Sequence, residues 1–70
     1  MKTHWNYRVL VDDDGEFSIY EVFYDADGRV SGHTETPVYP RAGSLEGLKD
    51  ELQRYLRSLE EPVLIKQEPR

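Results

Sequence analysis

Val11-Asp12-Asp13-Asp14-Gly15-Glu16-Phe17-Ser18-Ile19-Tyr20-Glu21-Val22-Phe23-Tyr24-Asp25-Ala26-Asp27-Gly28 is the stretch that decides the fold of this chain. Two Asp-Gly turns bracket a run dominated by aromatic and β-branched residues. Asp-Gly between such runs is a strong hairpin signal, because glycine reaches positive φ at no steric cost and aspartate tolerates the same region. Two hairpins in series predict a three-stranded antiparallel meander. Its strands run from Trp5 to Val11, from Phe17 to Tyr24 and from Val30 to Thr36. The first alternates large apolar with mostly polar residues, as a half-buried strand does. The second is apolar on both faces, which suits a central strand, and the third is polar enough for an edge.

Outward from the meander, Pro37 and Pro40 lack the N–H a ladder needs, so Pro37-Val38-Tyr39-Pro40 reads as an extended crossover. Ser44 is a good helix N-cap. Behind it Leu45, Leu48, Leu52, Tyr55, Leu56 and Leu59 recur at helical spacing and form one apolar stripe. The other face carries Glu46, Lys49, Asp50, Glu51, Arg54 and Arg57, with acids early and bases late to complement the helix dipole. Asp50 and Arg54 stand four apart in the favourable order. Gly47 is the one weak helix former, costing about 1 kcal/mol relative to alanine. Pro62 ends the helix near Glu60 or Glu61. Val63-Leu64-Ile65 is a candidate short fourth strand, and Lys66 to Arg70 reads as a frayed tail. The fold class is therefore α+β: a β-β-β-α domain spanning residues 1–70, ordered from about 4 to 65, with the leucine stripe packed on one sheet face.

Register decides what shares that face. A first loop of two or four residues puts Trp5, Tyr7, Val9 and Val11 beside Ser18, Tyr20, Val22 and Tyr24. The opposite face then holds Arg8, Leu10, Phe17, Ile19, Glu21, Phe23 and His33. A three-residue loop instead brings Phe17, Ile19 and Phe23 to the Trp5 face and leaves Tyr20, Val22 and Tyr24 outside. In the second hairpin, a three-residue loop with Gly28 in the left-handed region pairs Tyr24 with Val30 and places Gly32 and Thr34 on the same side. In both registers one helix is too narrow to cover two apolar faces, and monomers rarely leave large apolar patches in water.

Composition narrows the function. With 70 residues and no cysteine, the chain has neither a disulfide nor a thiolate metal site to reinforce a small core. Homodimerisation is then the simplest source of further buried area. Neither a signal-peptide-length apolar stretch nor a run long enough to span a membrane is present, so a cytoplasmic, membrane-free protein is expected. The net charge of −5 and scattered basic residues argue against a nucleic-acid partner.

Catalytic patterns are sparse. Neither His4 nor His33 has a nucleophile beside it, and no nucleophile elbow or phosphate loop occurs, so the chain reads as no enzyme. A calcium loop starting at Asp25 fails, because Arg29 and Val30 fall where a ligand and a glycine are required. No metal or cofactor is expected. In the even-loop register Arg8, Glu21 and His33 form a polar line across three strands that could orient a small ligand, or merely tie the strands together. The leading expectation is a non-enzymatic interaction module, a homodimer or a binder of another protein, docking through Leu10, Phe17, Ile19 and Phe23. On this reading Phe23→Glu breaks the assembly. The alternative is a small-molecule binder using Arg8, Glu21 and His33.

Trp5-Asn6-Tyr7-Arg8-Val9, Glu21-Val22-Phe23-Tyr24-Asp25-Ala26-Asp27-Gly28, Thr34-Glu35-Thr36-Pro37-Val38, Ser44-Leu45-Glu46-Gly47-Leu48 and Leu59-Glu60-Glu61-Pro62-Val63-Leu64 together resemble a family of small uncharacterised bacterial proteins. The resemblance implies a bacterial cytoplasmic protein without an assigned activity, and it assigns no functional residue. Where that family is expected to carry a second tryptophan in the third strand, this chain has His33. A looser similarity, through Ser44-Leu45-Glu46-Gly47-Leu48 after a meander, is to the HicB-type antitoxin fold. That likeness implies an architecture and an antitoxin-like regulator, although the C-terminal DNA-binding segment of those proteins has no counterpart here.

Overall fold

The computed structural model describes residues 4–66. Its elements are β1 (His4–Val11), β2 (Phe17–Tyr24), β3 (Val30–His33), α1 (Leu45–Ser58) and β4 (Leu64–Ile65). The four strands form one sheet in the order β3-β2-β1-β4. β1–β2 and β2–β3 pair antiparallel, as the two Asp-Gly turns predict, while β4 returns parallel to β1. The sheet is therefore mixed.

Both hairpins close by the same device. Asp12 and Glu16 close the first turn, with Asp12 N–H donating to the Glu16 carbonyl at 3.1 Å and Gly15 N–H to the Asp12 carbonyl at 3.0 Å. Asp25, Gly28 and Arg29 repeat this arrangement at 2.9 and 3.0 Å. Gly15 and Gly28 have φ of 81° and 82°, the left-handed conformation that disfavours any side chain. Each leading aspartate accepts two backbone N–H groups: Asp14 and Glu16 donate to Asp12 Oδ1, and Asp27 and Arg29 to Asp25 Oδ1. These carboxylates serve the turns.

The first turn is thus a three-residue loop between Asp12 and Glu16, and it selects the second of the two registers. Trp5 pairs with Phe23, Tyr7 with Glu21, Val9 with Ile19 and Val11 with Phe17. Arg8, Leu10, Tyr20, Val22 and Tyr24 share the opposite face. Tyr24 pairs with Val30 as expected, but a bulge at Ser31 shifts the register so that Phe23 meets Gly32 and Val22 meets His33. The extra residue, rather than Gly32 and Thr34, therefore sets the face of this strand. β3 ends at His33, short of Thr36, yet the chain still follows β2: Thr34 N–H donates to Glu21 O at 3.0 Å and Val38 N–H to Ile19 O at 2.9 Å. The extended crossover through Pro37 thus lines the edge of β2.

Ser44 caps α1, its hydroxyl accepting from Gly47 N–H at 3.0 Å. The helix ends at Ser58, earlier than Pro62 alone suggests, because Leu59, Glu60 and Glu61 tighten into i→i+3 turns on Leu56, Arg57 and Ser58. β4 then lies beside the end of β1, with Leu10 opposite Leu64 and Val11 opposite Ile65. Lys66, expected in the tail, is tied down instead: its N–H donates to Val11 O at 2.9 Å. The rest of that tail lies outside the described residues.

The buried core is small. Val9, Leu10, Tyr20, Val22, Tyr24 and Tyr55 are its apolar and aromatic members among the described residues, with Leu64 packed against it. Most of this core lies on the sheet face away from α1, the face that register alone would leave outside. Side chains of the sheet's own rim screen it. The His4 ring stacks on Tyr24 at 4.8 Å, the His33 ring meets Tyr20 edge-on at 5.6 Å, and the Lys66 ammonium lies 5.5 Å from the Tyr20 ring. The radius of gyration is 12.8 Å; a fully collapsed domain of this length has about 11 Å.

Candidate functional site

α1 meets the sheet through a side that the leucine spacing does not single out. Tyr55 and Ser58 are its buried residues. The Tyr55 ring lies 4.5 Å from the Tyr7 ring, and the Tyr7 hydroxyl donates to Glu51 Oε2 at 2.7 Å. Ser58 Oγ donates back to the Tyr55 carbonyl at 2.6 Å, which lets a polar residue sit in the contact without an orphaned hydroxyl. Below the helix, Arg8 fixes the returning chain. Its guanidinium is buried and donates to the Pro62 carbonyl at 2.7 Å and to Tyr24 Oη at 2.9 Å, and Tyr24 in turn donates to Asn6 Oδ1 at 2.8 Å.

This seating overturns the expected packing of the leucine stripe. At about 100° per residue, Glu51, Tyr55 and Ser58 point to the sheet, while Leu45, Leu52, Leu56 and Leu59 cluster about 100° round the helix from them. Their exposures are 81%, 48%, 65% and 59%. Only Leu48, on the border between the two directions, is half-buried. The physical reason is the Tyr7–Glu51–Tyr55 contact: a tyrosine buries a large ring and still satisfies its hydroxyl, so it holds a sheet-to-helix seam that combines apolar and polar groups. The leucines are left over.

The electrostatics follow from that seam. Burial pushes the Tyr7 phenol well above the ordinary tyrosine range, reinforced by its hydrogen bond to Glu51 and by that carboxylate's charge. Burial likewise raises Tyr55, with the Glu51 charge adding to it. Both phenols are held neutral, and that of Tyr7 donates to Glu51. Glu51 also faces Arg54 at 3.4 Å, one turn along and mostly in solvent.

The residues expected to act together are separated. Arg8 and His33 lie on one face, Glu21 on the other beside Tyr7, because the three-residue first loop carries Glu21 away from Arg8 and the bulge at Ser31 carries His33 away from Glu21. Leu10 is 1% exposed and belongs to the core. Phe23 sits exposed with Trp5 at one end of the helix-bearing face, and Phe17, more exposed still, lies beyond the Tyr7–Glu21 rung at the other end. Ile19 is half-buried between them. They form no single patch. An open cleft of about 460 Å³ does run between Trp5 and Tyr7 of β1 and Arg54, Arg57 and Glu61 of the helix end. Among the described residues, no three His, Asp or Glu side chains gather as a metal site requires, and no helix is long and apolar enough to cross a membrane.

The chain matches no protein-family model, no curated protein and no solved structure. The structure leaves exposed the leucine face of α1, which sequence reasoning assigned to the core. The signal that could have found it is the spacing itself, which sets Leu45 and Leu59, and likewise Leu48 and Leu56, at equal distances on either side of Leu52.

Proposed function

We propose that this protein is a non-enzymatic interaction module whose working surface is the leucine face of α1. The observation that carries the reading is the outward stripe of Leu45, Leu52, Leu56 and Leu59 beside a core that holds six apolar and aromatic side chains among the described residues. The four exposures amount to about two and a half free leucines, worth roughly 4–8 kcal/mol if removed from water. A domain of this size has a net stability of only about 3–5 kcal/mol, so burying that surface in a partner is a sizeable reinforcement. The natural complement is another amphipathic helix laid along the stripe. Phe17, Phe23 and Trp5 contribute at most secondary contacts at the ends of the sheet.

The reading is tested by placing a photo-crosslinking residue on each side of α1 in living cells. Leu56→p-benzoylphenylalanine is expected to give covalent adducts with polypeptide on irradiation, and Asp50→p-benzoylphenylalanine, on the opposite side of the helix, to give none. Equal or absent adducts at the two positions would overturn the reading.

A further inference from the structure

We propose that the occupant of this surface is a second copy of the same chain, with the two α1 helices antiparallel about a two-fold axis at Leu52. The inference rests on the interaction reading and names its partner. Its first support is the arrangement of the leucines. Leu45 lies seven residues before Leu52 and Leu59 seven after; Leu48 lies four before and Leu56 four after. Antiparallel pairing about Leu52 therefore sets Leu45 on the partner's Leu59, Leu48 on the partner's Leu56, and Leu52 on itself. No leucine of the stripe is left without a leucine opposite.

Such self-complementarity is what an isologous two-fold interface demands: one patch must fit its own rotated image. Parallel pairing also matches leucine with leucine, but it lays equal helix ends side by side. The helix dipole distinguishes the two: antiparallel pairing opposes the two dipoles head to tail, and parallel pairing aligns them.

Geometry leaves room for the partner. The stripe points about 100° away from the sheet-facing side of α1, so a second helix can lie alongside without displacing Tyr55 or Ser58. The outcome is a two-helix layer over two separate sheets. It also gives Leu48, half-buried in one protomer, a place at the shared seam.

Cysteine-free sequence makes the test clean. Single variants Leu45→Cys, Leu52→Cys and Leu59→Cys are oxidised as folded protein, alone and in pairwise mixtures, and read by non-reducing mass spectrometry. A disulfide forms only when the two Cα atoms approach to about 4.4–6.8 Å. The antiparallel dimer predicts Leu52→Cys homodimers and mixed Leu45→Cys–Leu59→Cys dimers, with no Leu45→Cys homodimer. Sedimentation equilibrium of the wild type is expected to show twice the 8.2 kDa chain mass. Leu52→Glu, which sets two carboxylates against each other on the axis, should raise the dissociation constant roughly a hundredfold or more. A strong Leu45→Cys homodimer would overturn the antiparallel arrangement. A wild type of single-chain mass at every concentration would overturn self-pairing; adducts of Leu56→p-benzoylphenylalanine to a different polypeptide would then leave the interaction reading standing, whereas no adducts would remove both.

Discussion

Replacing Leu52 and Leu56 together by glutamine is expected to leave the protomer folded, whereas replacing their neighbour Tyr55 by alanine should unfold it. Leu52 is 48% and Leu56 65% exposed, so together they bury less than one leucine's worth of surface in the protomer. At about 1.5–3 kcal/mol for a fully buried leucine, and with glutamine keeping much of the stem, the double change costs roughly 1–2 kcal/mol. Helix propensity adds little, since leucine and glutamine are near equals. Tyr55 is 8% exposed and carries the ring contact with Tyr7. Truncating a buried aromatic costs about 3–5 kcal/mol, comparable to the whole stability of so small a domain. Urea denaturation followed by far-ultraviolet circular dichroism, at concentrations low enough to suppress association, reads both. If the leucines were the sheet-packing side, the double variant would lose roughly 4–10 kcal/mol and would not fold. An unfolded L52Q/L56Q protein beside a folded Y55A protein would refute the seating of α1.

Three further expectations follow from the same contacts. Tyr7→Phe removes the donor to Glu51 and should cost about 1 kcal/mol near neutral pH. Because the folded protein holds the Tyr7 phenol above its unfolded value, this contribution is fully present below about pH 10 and fades as pH rises beyond it; in an absorbance titration at alkaline pH, Tyr7 and Tyr55 should ionise last or only with unfolding. Arg8→Met keeps the buried stem but strands the Pro62 carbonyl and Tyr24 hydroxyl, so thermal melts should show a loss of about 1–3 kcal/mol, and no loss would remove Arg8 as the anchor of the returning chain. Phe23→Glu, which the docking surface read from the strands makes disruptive, should leave association unchanged in sedimentation, because Phe23 stands at the sheet end away from the leucine face.

Much of the fold is legible in the residues, and the part that is not has a definite cause. Asp12, Gly15, Asp25 and Gly28 announce two hairpins through local chemistry alone, and Ser44 and Pro62 bracket the helix in the same way. These features depend on backbone conformation within a few residues, which sequence encodes directly. Loop length in the first hairpin is harder, since Asp12-Asp13-Asp14-Gly15-Glu16 admits two parities and one residue moves every side chain of β2 to the other face. The bulge at Ser31 is harder still: Gly32 hints at it without fixing the residue that bulges, and it carries His33 across the strand. The helix raises a different problem. Periodicity identifies the direction of an apolar stripe but not whether its partner lies in the same chain. Tyr55 reads as one more member of the stripe, while its hydroxyl-bearing ring, Glu51 and Ser58 together form the side that meets β1. Ser58, polar by type, gives no apolar signal at all, yet it is 3% exposed.

The most direct test is which side chains of α1 touch the sheet within one protomer, read from nuclear Overhauser contacts in a dilute sample of the Leu52→Glu variant. Tyr55 ring protons are expected to show contacts to the Tyr7 ring, and the methyl groups of Leu56 and Leu59 none to Val9 or Ile19. Leucine methyls in contact with Val9 or Ile19, with Tyr55 turned to solvent, would contradict the account.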